Sequence, residues 1–349
     1  MWYNIRIKFT HTRFYMNKRI ALLCLTLIML LTCMAGCGKT YTTWSLEIDG
    51  ELVPVQTLLN IDSKDISLFE YRFYFASLKA KYDGGDDDYW VSNEDAREKL
   101  FKETLDAICY DIAKERLMDS LDIGLSRKEK RGVKDFIREY KADYTDEQWK
   151  KVLADSYMDE ALYEELNYRS KYDSIIQDYY FSEATGTPLK LSDVLSYMQE
   201  NYYHYKYIYI KFDYDGTQTN KEMINMVYDK LNKGEEFEKL MQTYSRDYTA
   251  DTAKIGMYIL KDGISPIVDV VSTLEEGQVS SIIEADNGYY IYKRFDINIE
   301  DARQSLDEFK SLCMKDFVAE KVNAIADDFK IEYVSDLYDK ITIESLLHD

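Results

Sequence analysis

Apolar positions along the chain change their period from region to region. From about Ser67 to Tyr180 they recur at helical spacing, as in Leu68, Tyr71, Phe75 and Leu78, and again in Leu100, Leu105, Ile108 and Ile112. Ser126-Arg-Lys-Glu129 and Thr145-Asp-Glu-Gln148 place an N-cap hydroxyl three residues before a Glu or Gln, so at least four helices are predicted here. Their aromatic stripe reads as core first and binding surface second. Ahead of them, Trp44 to Val53 alternates and turns at Asp49-Gly50, which predicts a small hairpin.

Ala184-Thr-Gly-Thr-Pro188 interrupts the helical pattern, and Leu191 to Tyr203 resumes it for one more helix. The period then shifts to two in Tyr205-Lys-Tyr-Ile-Tyr-Ile-Lys-Phe212, a strand. Helices follow from about Asn220 to Asn232 and from Gly234 to Ser245. Ile255 to Ile259 reads as a strand, Ile267 to Leu274 as a helical turn, and Gly288 to Phe295 as a closing strand. The order is β-α-α-β-α-β, an α+β unit of about 90 residues. Arg303 to Phe329 is helical again, and Lys330 to Val334 looks like a last short strand. That tail is too small to fold alone and is expected to pack on the N-terminal helices. The predicted fold class is therefore α+β, a mostly helical module with an inserted α+β domain. Its expected divisions are a leader at 1–36, a linker and hairpin at 37–66, helices at 67–203, the inserted domain at 204–297, and the returning helix and strand at 298–349.

The front of the chain carries an address. Met16-Asn-Lys18-Arg19 precedes the apolar run Ile20 to Leu31, which is short for a membrane span and right for a secretory signal. Residues 1–15 read as an over-extended start upstream of Met16. Met34-Ala-Gly-Cys37-Gly38 resembles the bacterial lipobox, with Met34 where Leu is usual, so Cys37 is the expected lipidation site. Two acyl chains hold firmly where one does not. The expected location is extracytoplasmic, anchored by lipid to the bacterial cell membrane. Cys109 and Cys313 lie in helical apolar patterns, and a disulfide and two buried free thiols both remain open.

Composition removes several function classes. The 349 residues carry 44 basic and 64 acidic side chains, a net charge of −20. A body this acidic repels phosphate backbones, which argues against nucleic acid and weakly favours basic clients. His11, His204 and His348 are the only histidines, too few for a His-rich zinc site, and a Ser-His-Asp or Cys-His site would have to use His204 or a residue at the extreme C-terminus. Asp83-Gly-Gly-Asp-Asp-Asp88 lacks the spacing of a calcium loop and reads as a solvated turn. No phosphate-binding loop is visible, so neither ATP, a metal nor any other cofactor is expected.

Residues 206–296 resemble the parvulin family of peptidyl-prolyl isomerases. Lys206 to Lys211 matches the family's opening His-Ile-Leu-Val strand in position. Lys233-Gly-Glu-Glu-Phe-Glu-Lys-Leu240 with Tyr244-Ser245 resembles its "G-x-x-F-x-x-L-A-x-x-Y-S" helix pair, Leu274 to Ser280 its "L-x-x-G-E-V-S", and Gly288-Tyr-Tyr-Ile291 its "G-Y-H-I". The resemblance implies catalytic positions at Tyr207, Tyr290 and Asp247, the first two standing where the family has its histidine pair. It implies a proline pocket from Ile255, Ile264 and Ile267, aliphatic where the family usually has Leu, Met and Phe, with Tyr258 as a further substrate-binding position. Weak or degenerate isomerase activity is the expectation. With the lipobox and the helical segments, the similarity extends to extracytoplasmic foldases of the PrsA and SurA type, which implies unfolded or newly exported polypeptides as partners and leaves a homodimer open. The competing reading from another class is a lipid-anchored solute- or surface-binding protein without foldase role.

Overall fold

In the computed structural model, the described residues are 45–48, 51–54, 56–212, 219–247, 255–334 and 336–347; the apolar leader and Cys37 lie outside them. The first hairpin forms where alternation predicts it, with β1 (Ser45–Ile48) antiparallel to β2 (Glu51–Pro54). A second hairpin follows that alternation does not announce, β3 (Thr57–Ile61) and β4 (Lys64–Ser67). Its two-residue turn is Asp62-Ser63, both at positive φ, 47° and 74°. Turns of this kind usually advertise themselves by Asn-Gly or Gly, and here short polar side chains take the left-handed conformation instead. An irregularity in the ladder between Thr57 and Leu59 lets Leu58 and Leu59 both be buried, which breaks the period of two.

Helix α1 (Leu68–Asp83) begins on Ser67, whose Oγ accepts from the Glu70 N–H at 3.1 Å, and ends at Gly84 in the left-handed region, φ 60°. The acidic turn beyond it is tied into the fold. Asp83 accepts from Lys79, from Trp90 Nε1 at 2.7 Å and from Gly85 N at 2.8 Å. Burial alone would raise the Asp83 carboxyl, and these donors outweigh it and hold it below the usual range. Then come α2 (Glu94–Ser120), α3 (Arg127–Lys141), α4 (Asp146–Asp155), α5 (Glu160–Arg169) and α6 (Tyr172–Phe181). Both predicted capping boxes are present, at Ser126/Glu129 and Thr145/Gln148.

The chain divides into two compact units, residues up to Ile176 with Val318–Asp349, and Gln177–Phe317. In the first unit, β9 (Ile331–Tyr333) pairs with β3, Ile61 opposite Ile331, to give the sheet order β4-β3-β9. The short α13 (Ile343–Leu347) follows; the N–H at Nε of Arg72, on α1, donates to the Leu346 carbonyl. Leu58, Ile61, Tyr71, Phe75, Leu100 and Ile108 thus share one core with Leu337, Ile341 and Leu346.

The charged counterpart of that core centres on Arg169, whose side chain is 2% exposed. It donates to Glu70 at 2.7 Å, Tyr74 Oη at 3.0 Å, Glu115 at 3.3 Å and Glu165. Lys64 joins Glu115 at 2.6 Å, and Tyr74 Oη donates to Asp111 at 2.5 Å. One guanidinium therefore links α1, α2 and α5. Burial raises the Glu70 carboxyl despite the opposing pull of Arg169. Cys109 and Cys313 are free thiols, the first buried and the second partly so.

The second unit is built on a four-stranded antiparallel sheet, order β6-β5-β8-β7, from β5 (Tyr202–Lys211), β6 (Met257–Leu260), β7 (Ile283–Ala285) and β8 (Gly288–Phe295). Strand β7 is one more than the pattern predicts, because three residues are too few to display alternation. Helices α8 (Thr219–Asn232) and α9 (Phe237–Tyr244) cover one face, where Ile208, Ile210, Ile291, Val227, Phe237 and Leu240 pack together. The short α10 (Pro266–Val271) lies on the other. Helices α7 (Leu191–Asn201) and α11 (Ile299–Gln304), with Phe309 at the start of α12 (Leu306–Ala326), close the end around Met198, Tyr202 and Ile297. The tail expected to pack whole on the N-terminal helices thus divides: its first part stays in this unit through Ala302 and Phe309, and Val318 onward lies in the first unit.

Replacing Arg169 by Leu leaves Glu70 buried without its cation and is expected to cost about 3–5 kcal/mol of stability. Replacing both Arg169 and Glu70 by Leu recovers most of that loss, as chemical denaturation followed by helical circular dichroism would show.

Candidate functional site

The period of two in β5 places Tyr203, Tyr205, Tyr207 and Tyr209 on one face. The β8 register, Tyr207 opposite Tyr292 and Tyr209 opposite Tyr290, adds two more rings. Helix α10 and the turn after it press Val271 and Leu274 onto Tyr205 and Tyr292, which are 1% and 7% exposed. Tyr207 and Tyr290 remain half-buried beside them, their ring centroids 5.9 Å apart, with Tyr290 stacked on Tyr209 at 4.7 Å. The result is an aromatic surface edged by polar groups.

The polar edge is set by the loop that follows α9. Ser245 leaves the helix in extended conformation, and the loop is clasped to β5 at both main-chain groups of one residue. The Arg246 N–H donates to the Tyr209 carbonyl at 2.9 Å, and the Tyr209 N–H donates to Ser245 Oγ at 3.0 Å. This places the exposed Asp247 carboxylate at the tyrosines. Its Oδ2 accepts from Tyr207 Oη at 2.6 Å and its Oδ1 from Ser245 Oγ at 3.0 Å. Tyr290 Oη donates to Asn287 Oδ1 at 3.1 Å, and Tyr209 Oη to the Asn287 carbonyl at 3.0 Å. Burial, and then the bond to Asp247, push the Tyr207 phenol far above its ordinary value. Burial likewise pushes Tyr290 up to about 12, against the relief that Asn287 gives. Both phenols are therefore neutral at physiological pH.

The structure brings Tyr207, Asp247 and Tyr290 together although they are far apart in sequence, and Ile267 joins the same cluster. The other three pocket candidates are placed differently. Tyr258 is on the opposite face, stacked on His204 at 4.7 Å and edge-on to Phe309 at 5.0 Å. The Ile264 side chain is fully exposed in the connection between β6 and α10. Ile255 precedes β6, and its carbonyl lies 2.7 Å from His204 Nε2. Met257 and Ile259 occupy the tyrosine face instead. Parity within β6 decides this, and the parity is set at Gly256, whose φ is 79° and where an added Cβ would stand 2.4 Å from His204 Nε2. Sequence reasoning also passed over Ser245, Tyr209 and Asn287, whose part is hydrogen bonding within the site; only the Tyr-Ser pair before Asp247 hinted at one of them.

Among the described residues no three His, Cys, Asp or Glu side chains converge on a metal position. His204 is buried on the far face, its Nδ1 3.1 Å from the Asp296 carbonyl, and faces away from the tyrosines. The arrangement offers neutral phenols, one carboxylate and apolar ring faces. It suits non-covalent recognition of an apolar residue flanked by polar main chain.

The raised Tyr290 phenol has a sign. Because its folded value lies above the ordinary 10.0, its contribution to stability is complete below about pH 10 and disappears as pH climbs through about 12. In NMR of ring-labelled tyrosine, the resonance missing from Tyr290→Phe is expected to titrate near 12 in the wild type rather than near 10.

Comparison with known proteins adds the family. Residues 207–296 match the Rotamase family, described as a PPIC-type PPIASE domain. No curated protein matches the chain. Among solved structures, peptidylprolyl isomerase PrsA from Bacillus anthracis is 17% identical, over 62% of this chain and 92% of that one, with a TM-score of 0.28. PrsA from Bacillus subtilis is 20% identical, over 80% and 95%, with a TM-score of 0.27. The structure of the SurA-like chaperones PEB4 and Cj1289 from Campylobacter jejuni is 13% identical, over 80% and 98%, with a TM-score of 0.27. The match over 207–296 carries the assignment: this part of the chain is a parvulin-type peptidyl-prolyl isomerase domain of the PPIC family.

Proposed function

We propose that the chain is an extracytoplasmic foldase, lipid-anchored at Cys37, that holds unfolded, newly exported polypeptides and binds their prolyl segments at the Tyr207–Asp247–Tyr290 cluster. The observation that carries this reading is the convergence of those three side chains on the aromatic face of a PPIC-type domain. Rotation about a peptide bond faces a barrier of about 18–20 kcal/mol. Lowering it needs no covalent step, only a site that binds the twisted amide better than either planar form. Tyr207 and Tyr290 replace an imidazole pair by phenols that already donate within the domain, so turnover is weak and binding dominates. Binding needs no ATP. The lipobox sequence supports the anchor, and no helix among the described residues is long and apolar enough to cross a membrane.

The test is NMR exchange of a short Xaa-Pro peptide with the purified full chain. Line broadening by bound peptide and slow acceleration of cis/trans exchange are expected. Affinity should fall roughly tenfold in Asp247→Ala, and exchange should quicken in the double variant Tyr207→His, Tyr290→His. Absence of both broadening and acceleration with the wild type would refute the prolyl site. For the anchor, labelled palmitate is expected to enter the wild-type protein in bacterial cells and not Cys37→Ser.

A further inference from the structure

Which hydrogen-bonding groups does the cluster leave for a client? A phenol has a single proton to donate. Tyr207 gives its proton to Asp247, Tyr290 to the Asn287 side chain and Tyr209 to the Asn287 carbonyl. Ser245 gives its own to the second Asp247 oxygen. Tyr292, the other phenol that β8 turns to this face, is buried with Val271 and Leu274. Toward solvent the phenols and the carboxylate therefore present acceptors, the outer lone pairs of Tyr207 and Tyr290 and the unused lone pairs of Asp247, with the Asn287 amide nitrogen as a neutral donor beside Tyr290. A carboxylate has about four lone-pair positions, and two of these are filled.

Asp247 is also exposed and has no cationic partner within ion-pair distance among the described residues. Its neighbour Arg246 turns its main-chain N–H to Tyr209 and forms no ion pair among the described residues. The clasp of Ser245 and Arg246 on Tyr209 holds the carboxylate beside the rings, so a negative charge stands fixed at the edge of an aromatic surface. The −20 net charge of the chain adds long-range attraction of the same sign.

We infer that this site selects segments in which a lysine or arginine adjoins the proline, the ring lying on the tyrosines and the cation on Asp247. An acidic neighbour would meet the like charge of Asp247. The inference rests on the prolyl-site reading above and names its substrate class.

The experiment uses the full chain and three probes, Ac-Ala-Lys-Pro-Leu-NH2, its glutamate counterpart and its norleucine counterpart, titrated by NMR with ring-labelled tyrosine. The lysine peptide should bind roughly two- to fivefold more tightly than the norleucine peptide, the range of an exposed ion pair. The glutamate peptide should be weakest, and the differences should shrink as ionic strength rises. In Asp247→Asn, which keeps side-chain volume and an oxygen for Tyr207, the lysine-to-norleucine ratio should fall to about one, whatever the variant does to affinity overall. Equal affinities in the wild type, or a ratio that survives Asp247→Asn, overturn the inference alone. Absence of binding by all three probes overturns it together with the prolyl site.

Discussion

The second unit depends on the ladder between β5 and β8. Eight positions pair from His204–Phe295 to Lys211–Gly288, and side chains alternate across the sheet along its whole length. A slip of one residue would send the odd-numbered tyrosines into the α8–α9 core and bring Ile208 and Ile210 to the open face. Two glycines oppose such a slip by close approach. An added Cβ at Gly288 would meet the Ile210 carbonyl oxygen at 2.4 Å, and at Gly256 it would meet His204. From that register follow the juxtaposition of Tyr207 with Tyr290, the edge at Tyr209 that receives the Ser245 clasp, and so the place of Asp247.

The first unit answers a different constraint. The chain leaves it and returns, and the returning segment earns its place through β9 on β3 and through apolar residues such as Leu337 and Leu346 that complete the core of α1 and α2. Polar groups within this packing are matched to one another around Arg169, where a guanidinium able to donate in several directions suits carboxylates arriving from different helices. Removing one partner leaves an uncompensated charge, so the network enforces a single arrangement as much as it stabilises it.

Site chemistry follows from side-chain size and burial. Phenols from β5 and β8 make an aromatic cluster whose protons are engaged within the domain. Burial keeps them neutral, and Asp247 brings a carboxylate to their edge.

Local signals in the sequence determined the α1 start, the α3 and α4 capping boxes and the strands β5 and β8, because hydroxyl caps and a period of two act between near neighbours. Motif order carried the reading further, to the parvulin type of the 207–296 segment and to Tyr207, Asp247 and Tyr290 as a set. Hairpin β3–β4 and strand β7 escaped, the one turning on Asp62-Ser63 and the other only three residues long. The placing of Tyr258 against Met257 and Ile259 was decided by the tertiary structure alone. Which parity of β6 faces the tyrosines depends on how Gly256 turns against His204, a contact between segments about fifty residues apart that no local pattern encodes. The directions of the phenol protons were decided there too, since they follow from acceptors that only folding brings within reach.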